Sequence, residues 1–413
     1  MKLFKIITLG CKVNQYESDW MRAVCIGAGY SPAGKNERAD LVVLNSCAVT
    51  SAASAKSRRA LRQALKSDQE AKIIATGCAV KAAPESFAAI DDRIVLLPES
   101  GKQGFPALIG AEASDGLFAE QTRTRAFLKI QDGCNQFCTY CIVAHLRPKL
   151  WSKPLEAVLN ETEYLVARGH REIVLTGVRL GLYDSDGATL AELIEALETR
   201  SAITRIRLSS IEPSEITDEL LTAAKGRKFC RHLHAPLQSG DNEILKAMNR
   251  PYTAPKFLER IAAIRRALPG TAITTDVIVG FPGETEENFE NTLRVCREAG
   301  FSKIHIFPFS PRNGTQAAKM KNRPDGKAVA SRIERLRILE EEMATEFRNG
   351  LVGKISEVLV EKKSDRQTGL PCGTSQEYVK VYFEKGWPAV GTIVPARIMR
   401  ANALNAFAEL VSE

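Results

Sequence analysis

The chain has 413 residues, 44% of them apolar and 26% charged, which excludes a disordered or fibrous protein and leaves room for two or three domains. A net charge of +8 permits a polyanionic partner without requiring one. Ten cysteines are too sparse for a disulfide scaffold, and no apolar stretch is long enough to span a bilayer.

The N-terminal MKLFKIITLGC has two lysines and an apolar run shorter than a signal-peptide core, so a cytoplasmic chain with no membrane partner is expected. The runs FKIITL (4–9), ADLVVLN (39–45) and AKIIAT (71–76) read as short, buried strands of a parallel sheet. Each leads into a cysteine: Cys11, Cys47 and Cys78. Helical stretches at Glu17–Ala28 and Ala52–Leu65 separate them, at a period of about thirty residues that fits βαβ units. Right-handed crossovers bring the C-terminal ends of parallel strands to one edge, where open α/β sheets bind ligands. Cysteine is also common as a small buried hydrophobe. Three at equivalent strand ends point instead to a shared site. Cys25, Cys230, Cys296 and Cys372 lack that context and read as structural or incidental.

A further strand, Ala126–Gln131, leads into DGCNQFCTYC, which spaces Cys134, Cys138 and Cys141 as C-x3-C-x2-C. A structural zinc site would need a fourth ligand, and His145 stands four residues after Cys141. An iron–sulfur cluster with one iron free of protein ligands would need only the three. The following segments favour the cluster, because a zinc knot accounts for none of them. REIVLTG (171–177), ITRIRLSSIEP (203–213), RHLHAPLQSG (231–240), AITTDVIVGFPGET (272–285) and KIHIFPFSPR (303–312) read as strands with glycine-rich or polar ends. Helices such as Leu155–Ala167 and Leu190–Glu198 separate them. With the strand before Cys134 they make about six β/α units, hence a partial parallel barrel with its chemistry at the C-terminal strand ends.

After a charged helix from Asp325 to Phe347, the segments KISEVLVE, EYVKVYFE and GTIVPARIMRA show strand-like alternation. About five short strands there suggest a small β-barrel. Residues 351–413 carry eight Lys/Arg against seven Asp/Glu, a net +1, so this is not a strongly basic platform. Tyr378, Tyr382, Phe383 and Trp387 are its candidates for base stacking. Stretches 51–72 and 121–160 each carry six Lys/Arg against two acids and suit phosphate contacts near the cysteines.

Together GCKVNQYES, NSCAVT, TGCAV, QDGCNQFCTYCIV, LSSIEP, HLHAPLQSG, VIVGFPGET and FSPRNGTQAA resemble the radical-SAM methylthiotransferases over nearly the whole chain. GCKVNQYES with CNQFCTYC is most similar to the branch that methylthiolates C2 of N6-threonylcarbamoyladenosine beside the anticodon of tRNA. The resemblance implies an α/β fold of three domains. These are an N-terminal open parallel α/β sheet domain (1–112), a central partial (β/α)6 radical-SAM barrel (120–347) and a C-terminal TRAM-like, OB-like β-barrel (350–413).

It also implies that Cys134, Cys138 and Cys141 hold a 4Fe-4S cluster whose open iron chelates S-adenosylmethionine. Reduction then yields a deoxyadenosyl radical that takes the C2 hydrogen. Cys11, Cys47 and Cys78 hold a second 4Fe-4S cluster with an open site for sulfur, and a second S-adenosylmethionine supplies the methyl. The implied partners are tRNA and an electron donor protein of unknown identity. Gly177, Ser209, Glu212 and Gly280 become candidates for S-adenosylmethionine contacts, and Arg312 for phosphate or substrate.

The sequence departs from the family after the triad. Arg147 is retained, but Ala144, Pro148 and Trp151 replace the usual proline, glycine and arginine, and Arg179 stands where asparagine is common. Alternative readings are a ribosomal-protein methylthiotransferase, methylthiolation of prenylated adenosine in tRNA, or a non-catalytic, zinc-stabilised RNA-binding protein.

Overall fold

The first apolar run forms strand β1 (Lys2–Thr8), which buries Phe4 in a parallel sheet. In the computed structural model, which describes residues 2–98, 104–112, 118–362, 364 and 368–411, the chain forms two compact units. One comprises Met1–Thr122, Asp132–Leu150 and Ser310–Ala318. The other comprises Arg123–Gln131, Trp151–Phe309 and Lys319–Glu413. Residues 132–150 and 310–318 group with the N-terminal residues.

In the first unit, β1 joins β2 (Tyr30–Pro32), β3 (Leu41–Ser46), β4 (Lys72–Gly77) and β5 (Ile94–Leu97) in the order β2-β1-β3-β4-β5. All pairings are parallel. Every residue of β3 is buried, as expected for a central strand covered on both faces. Helix α1 runs from Lys12 to Gly27, starting five residues before the expected Glu17. Its first turn holds a single buried aliphatic, Val13, so the helical period is hidden there. Helices α2 (Ser51–Ser67), α3 (Cys78–Ala82), α4 (Glu85–Ala88) and α5 (Phe105–Leu108) complete the layers, with α6 (Val143–Leu146) from the cysteine loop. Thr50 caps α2 by accepting from the Ala53 N–H.

In the second unit β6 (Ala126–Lys129) is followed by the two-residue strands β7 (Gln131–Asp132) and β8 (Trp151–Ser152) and by β9 (Glu172–Thr176). The short pair β10 (Asp184–Ser185) and β11 (Ala188–Thr189) precedes β12 (Arg205–Leu208), β13 (His232–His234), β14 (Ala272–Val279) and β15 (Lys303–Pro308). Two parallel three-stranded sheets form, β12-β9-β6 and β13-β14-β15. Parallel bridges Ile206↔Phe229 and Ser210↔His234 link them, so the strands run as one partial barrel. The intervening helices are α7 (Leu155–Ala167), α8 (Leu190–Arg200), α9 (Asp218–Ala223), α10 (Asn242–Ala247), α11 (Ala254–Ala267) and α12 (Glu286–Ala299); α13 (Gln316–Lys319) falls mostly in the first unit, and α14 (Gly326–Asn349) follows in the second. Capping boxes at Thr189 and Thr285 start α8 and α12.

β16 (Ile355–Val360), β17 (Cys372–Ser375), β18 (Lys380–Lys385), β19 (Ile393–Ala401) and β20 (Ala406–Leu410) close a barrel in the order β16-β17-β18-β20-β19. The expected α/β fold with a partial parallel barrel and a small β-barrel is therefore present. No helix of the described residues is long and apolar enough to cross a membrane.

The two barrels meet over buried charge. Glu172, fully buried on β9, receives Arg207 Nε at 2.7 Å and lies 3.2 Å from Arg205 Nε. Arg207 also donates to the carbonyls of Ser375 and Gln376, each at 3.0 Å. Burial opposes ionisation of Glu172, but Arg207 and Arg205 outweigh it and hold the carboxyl below its ordinary range. That contribution to stability is present at neutral pH and fades as pH falls through the depressed pKa. Glu172→Gln leaves two buried guanidiniums short of a counter-charge and is expected to cost about 3–5 kcal/mol. A thermal unfolding midpoint equal to the parent's would show that the carbonyls alone suffice.

Candidate functional site

Cys11, Cys47 and Cys78 leave adjacent parallel strands, β1, β3 and β4, at the same edge. The register pairs Thr8 with Asn45 and Ser46 with Gly77, which sets the three exits level. Cys11 is the N-cap of α1 and Cys78 opens α3. Two glycines make room. A Cβ on Gly10 (φ +111°) would lie 3.1 Å from Cys47 Sγ, and one on Gly77 (φ +94°) would lie 2.5 Å from the Ser46 carbonyl.

Asn14, a residue the sequence reading did not single out, ties the edge together. Its Nδ2 donates to the carbonyls of Leu9 (3.0 Å) and Ser46 (2.9 Å), and the Cys11 thiol donates to its Oδ1 at 3.6 Å. The Cys47 N–H donates to Ser57 Oγ at 3.3 Å. Burial pushes the Cys47 thiol up, against the pull of the Val49 N–H and the Arg312 guanidinium. Arg312 itself donates to Ser54 Oγ (3.0 Å) and Ser51 Oγ (3.2 Å) at the start of α2.

The second trio lies in the 132–150 loop of the same unit. Gly133 has φ +84°, and a Cβ there would fall 2.0 Å from the Lys149 carbonyl, so the turn into Cys134 admits only glycine. The Cys134 N–H donates to the Arg147 carbonyl (3.0 Å), and the Cys141 N–H to the Cys138 carbonyl (2.9 Å). The N–H groups of Gln136 and Val143 point at the sulfurs of Cys134 (3.5 Å) and Cys141 (3.4 Å). Such N–H donors stabilise charge on cluster thiolates. Burial pushes the Cys141 thiol up to about 11, so without metal it is protonated at neutral pH. Iron binding must expel that proton.

Two contacts fasten this loop beside the first trio. Ile142 and Leu146 share an apolar cluster with Cys78, Ala79 and Val80. Arg147, retained from the family pattern, is buried between Glu17 of α1 (2.9 and 3.1 Å) and Asp132 (2.8 and 2.9 Å). Arg147→Met would take a buried guanidinium away from the Glu17 and Asp132 carboxylates and is expected to cost about 3–5 kcal/mol. The check is a lower thermal midpoint together with reduced iron loading. Normal values for both would remove Arg147 from this role.

All six cysteines are free thiols, as are the other four. Cys25 and Cys296 are buried, with thiols pushed up to about 12, which suits inert packing. The His145 ring packs edge-on against Phe137, 5.3 Å between centroids. Among the described residues, the one trio of metal-type ligand atoms drawn within 4.8 Å is His234, Asp276 and His305.

At the barrel strand ends, Ser209 Oγ is buried and makes no hydrogen bond within the chain. Gly177 packs so tightly that a Cβ would lie 2.9 Å from Gln131 Oε1. Glu212 pairs with Arg250, which also donates to the Tyr252 hydroxyl at 2.9 Å. Burial raises the Glu212 carboxyl above its ordinary range, partly offset by Arg250 and Arg179. Arg179 pairs with Glu215 at 2.5 Å, and its N–H donates to Gln131 Oε1 at 2.8 Å. The sequence noted Arg179 only as a departure, and the network of Gln131, Glu215 and Arg250 was missed. Gly280 differs from the others. Its N–H is taken by Glu284 Oε2 at 2.8 Å, and φ +80° makes it a turn residue.

The aromatic candidates thin out. Phe383 is 1% exposed in the barrel core, and Tyr382, 5% exposed, lies on the opposite face of β18 against the Phe407 ring. Tyr378 stacks on His232 at 4.6 Å and lies under Arg207. Trp387 is the most open of the four, at 75% exposure, and Tyr378 keeps 37%.

Residues 128–296 match the Radical SAM superfamily, and residues 3–97 match Uncharacterized protein family UPF0004. The threonylcarbamoyladenosine tRNA methylthiotransferase MtaB of Bacillus subtilis is 37% identical over 95% of this chain and 93% of its own length. That of Chlamydia pneumoniae is 38% identical over 99% and 98%. The chain belongs to the radical-SAM methylthiotransferase family. The tRNA-2-methylthio-N(6)-dimethylallyladenosine synthase of Desulfitobacterium hafniense, from another branch, is 33% identical over 98% and 97%. The radical S-adenosylmethionine methyltransferase TsrM of Kitasatospora setae shares the fold, with TM-score 0.55 over 77% of each chain at 14% identity. The family's cofactors are iron–sulfur clusters and S-adenosylmethionine. The residues present fit both: free thiols in two trios with N–H groups aimed at sulfur, and an orphaned buried hydroxyl at Ser209.

Proposed function

We propose that the chain is a tRNA methylthiotransferase acting on C2 of N6-threonylcarbamoyladenosine next to the anticodon. One observation carries the reading: two trios of free cysteines lie in one compact unit of a chain related end to end to enzymes named for that reaction. Cys134, Cys138 and Cys141 hold the first 4Fe-4S cluster, and Cys11, Cys47 and Cys78 the second. When bound, these clusters and S-adenosylmethionine supply one-electron removal of the C2 hydrogen and the methylated sulfur that replaces it.

The chain's own groups orient and protect that chemistry. The N–H groups of Gln136 and Val143 steady the thiolates, and Gly10 leaves space at Cys47. Ser209 Oγ and Glu212 offer polar contacts to S-adenosylmethionine, with Gly177 and Gly280 shaping the strand exits. Residues 1–112 serve as the sulfur-donor domain, 120–347 as the radical domain and 350–413 as an RNA-holding barrel.

For tRNA, α2 offers Lys56, Arg59, Arg62 and Lys66, all exposed and spaced to share one face. Trp387 adds an open aromatic ring. A cytoplasmic setting and a separate electron donor protein belong to the same proposal.

The test weighs the nucleosides of tRNA from cells with and without the gene. Selective loss of methylthio-threonylcarbamoyladenosine is expected. Loss of the methylthio-prenyl nucleoside, or an unchanged profile, would overturn the substrate assignment.

A further inference from the structure

Three ligand-type side chains outside the cysteine sites meet on adjacent strands of the partial barrel. Parallel β13, β14 and β15 pair His234 with Thr274 and Asp276 with His305. Cross-strand partners point to the same face, and Thr274 and Asp276, two residues apart, share it. His234, Asp276 and His305 therefore stand on one face, with their ligand atoms all within 4.8 Å of one another. His234 Nε2 lies 3.3 Å from Asp276 Oδ2, and the two imidazoles have centroids 5.6 Å apart at a 46° tilt.

The far nitrogen of His234, Nδ1, is held by Thr274 Oγ1 at 2.9 Å. That outer hydrogen bond is the kind that orients a metal-binding imidazole and leaves Nε2 for the ion. Glu172, Glu212, Glu215 and Glu284 of this unit each face an arginine, Glu161 and Glu340 each face a lysine, and Asp241 accepts from the Asn291 amide. Among the described residues Asp276 has no arginine or lysine partner and faces imidazole instead.

We propose that His234, Asp276 and His305 hold a divalent transition-metal ion, distinct from the cysteine-bound clusters. Two imidazoles and a carboxylate are donors suited to Zn²⁺, Mn²⁺ or Fe²⁺. Three protein ligands leave coordination positions open, so this is a ligand-accepting site rather than a structural one. Oxygen donors, such as water or a carboxylate, complete it. His305 is exposed and Asp276 about a quarter exposed, so an ion can enter from solvent.

The test titrates Mn²⁺ into the cluster-loaded enzyme and follows free Mn²⁺ by electron paramagnetic resonance. One Mn²⁺ per chain is expected to bind, and excess Zn²⁺ to displace it. His305→Ala and Asp276→Asn should each weaken binding about tenfold or more, and Thr274→Val should weaken it through the outer hydrogen bond. Unchanged iron content in His305→Ala, a surface replacement, shows that its fold and clusters are intact. Equal Mn²⁺ binding by the parent and His305→Ala would overturn the site. The readout is independent of methylthiolation, so its failure and that of the proposed function are distinguishable.

Discussion

Cys138→Ala abolishes reductive cleavage of S-adenosylmethionine and lowers iron from about eight to about four per chain, as the expected result for an enzyme with two four-iron clusters. The reason is local. The trio is packed into eight residues, and its loop is fixed by the Gly133 turn and the Cys134–Arg147 and Cys141–Cys138 backbone bonds. Those anchors are main-chain groups and survive the substitution. Cys138 is only partly buried, so loss of its sulfur removes a ligand without opening the core. The measurement is 5′-deoxyadenosine released after chemical reduction, beside iron analysis. Undiminished release would show that another residue completes the cluster.

Cys47→Ala separates the two halves of the chemistry. It is expected to keep 5′-deoxyadenosine formation, lose about four irons and make no methylthiolated nucleoside. Cys47 sits between Gly10 and Ser57, in the field of Cys11 and Arg312, and makes no contact with the C-x3-C-x2-C sulfurs among those described. Its loss should therefore leave the first cluster in place. Methylthiolated product from this variant would overturn the assignment of Cys11, Cys47 and Cys78 to the second cluster. Loss of both activities would show that the two trios, which share one compact unit, depend on each other for loading.

Much of this site was legible from short segments. Each of β1, β3 and β4 is a short, mainly apolar run that leads through a glycine or serine to a cysteine, so strand ends and cysteines could be aligned by inspection. β2 was missed because three residues, YSP, carry no period and end in proline. The start of α1 was missed because its first turn, at the cysteine edge, is mostly polar. The contacts of Tyr378 with His232 and Arg207 were missed because these partners lie far away in the chain.

The sequence by itself determined the cofactor class, the level strand ends of the sheet, the partial barrel and the small closing barrel. These depend on residues near one another: ligand spacing within a loop, apolar runs within a strand, glycine at a strand exit. Only the tertiary structure decided that both cysteine trios belong to one unit and that Arg147 bridges the triad loop to Glu17, 130 positions away. It alone put Glu172 against two arginines and gathered His234, Asp276 and His305 from three strands. Such groupings follow from strand register and layer packing. Burial over the whole core sets these, and no local period records them.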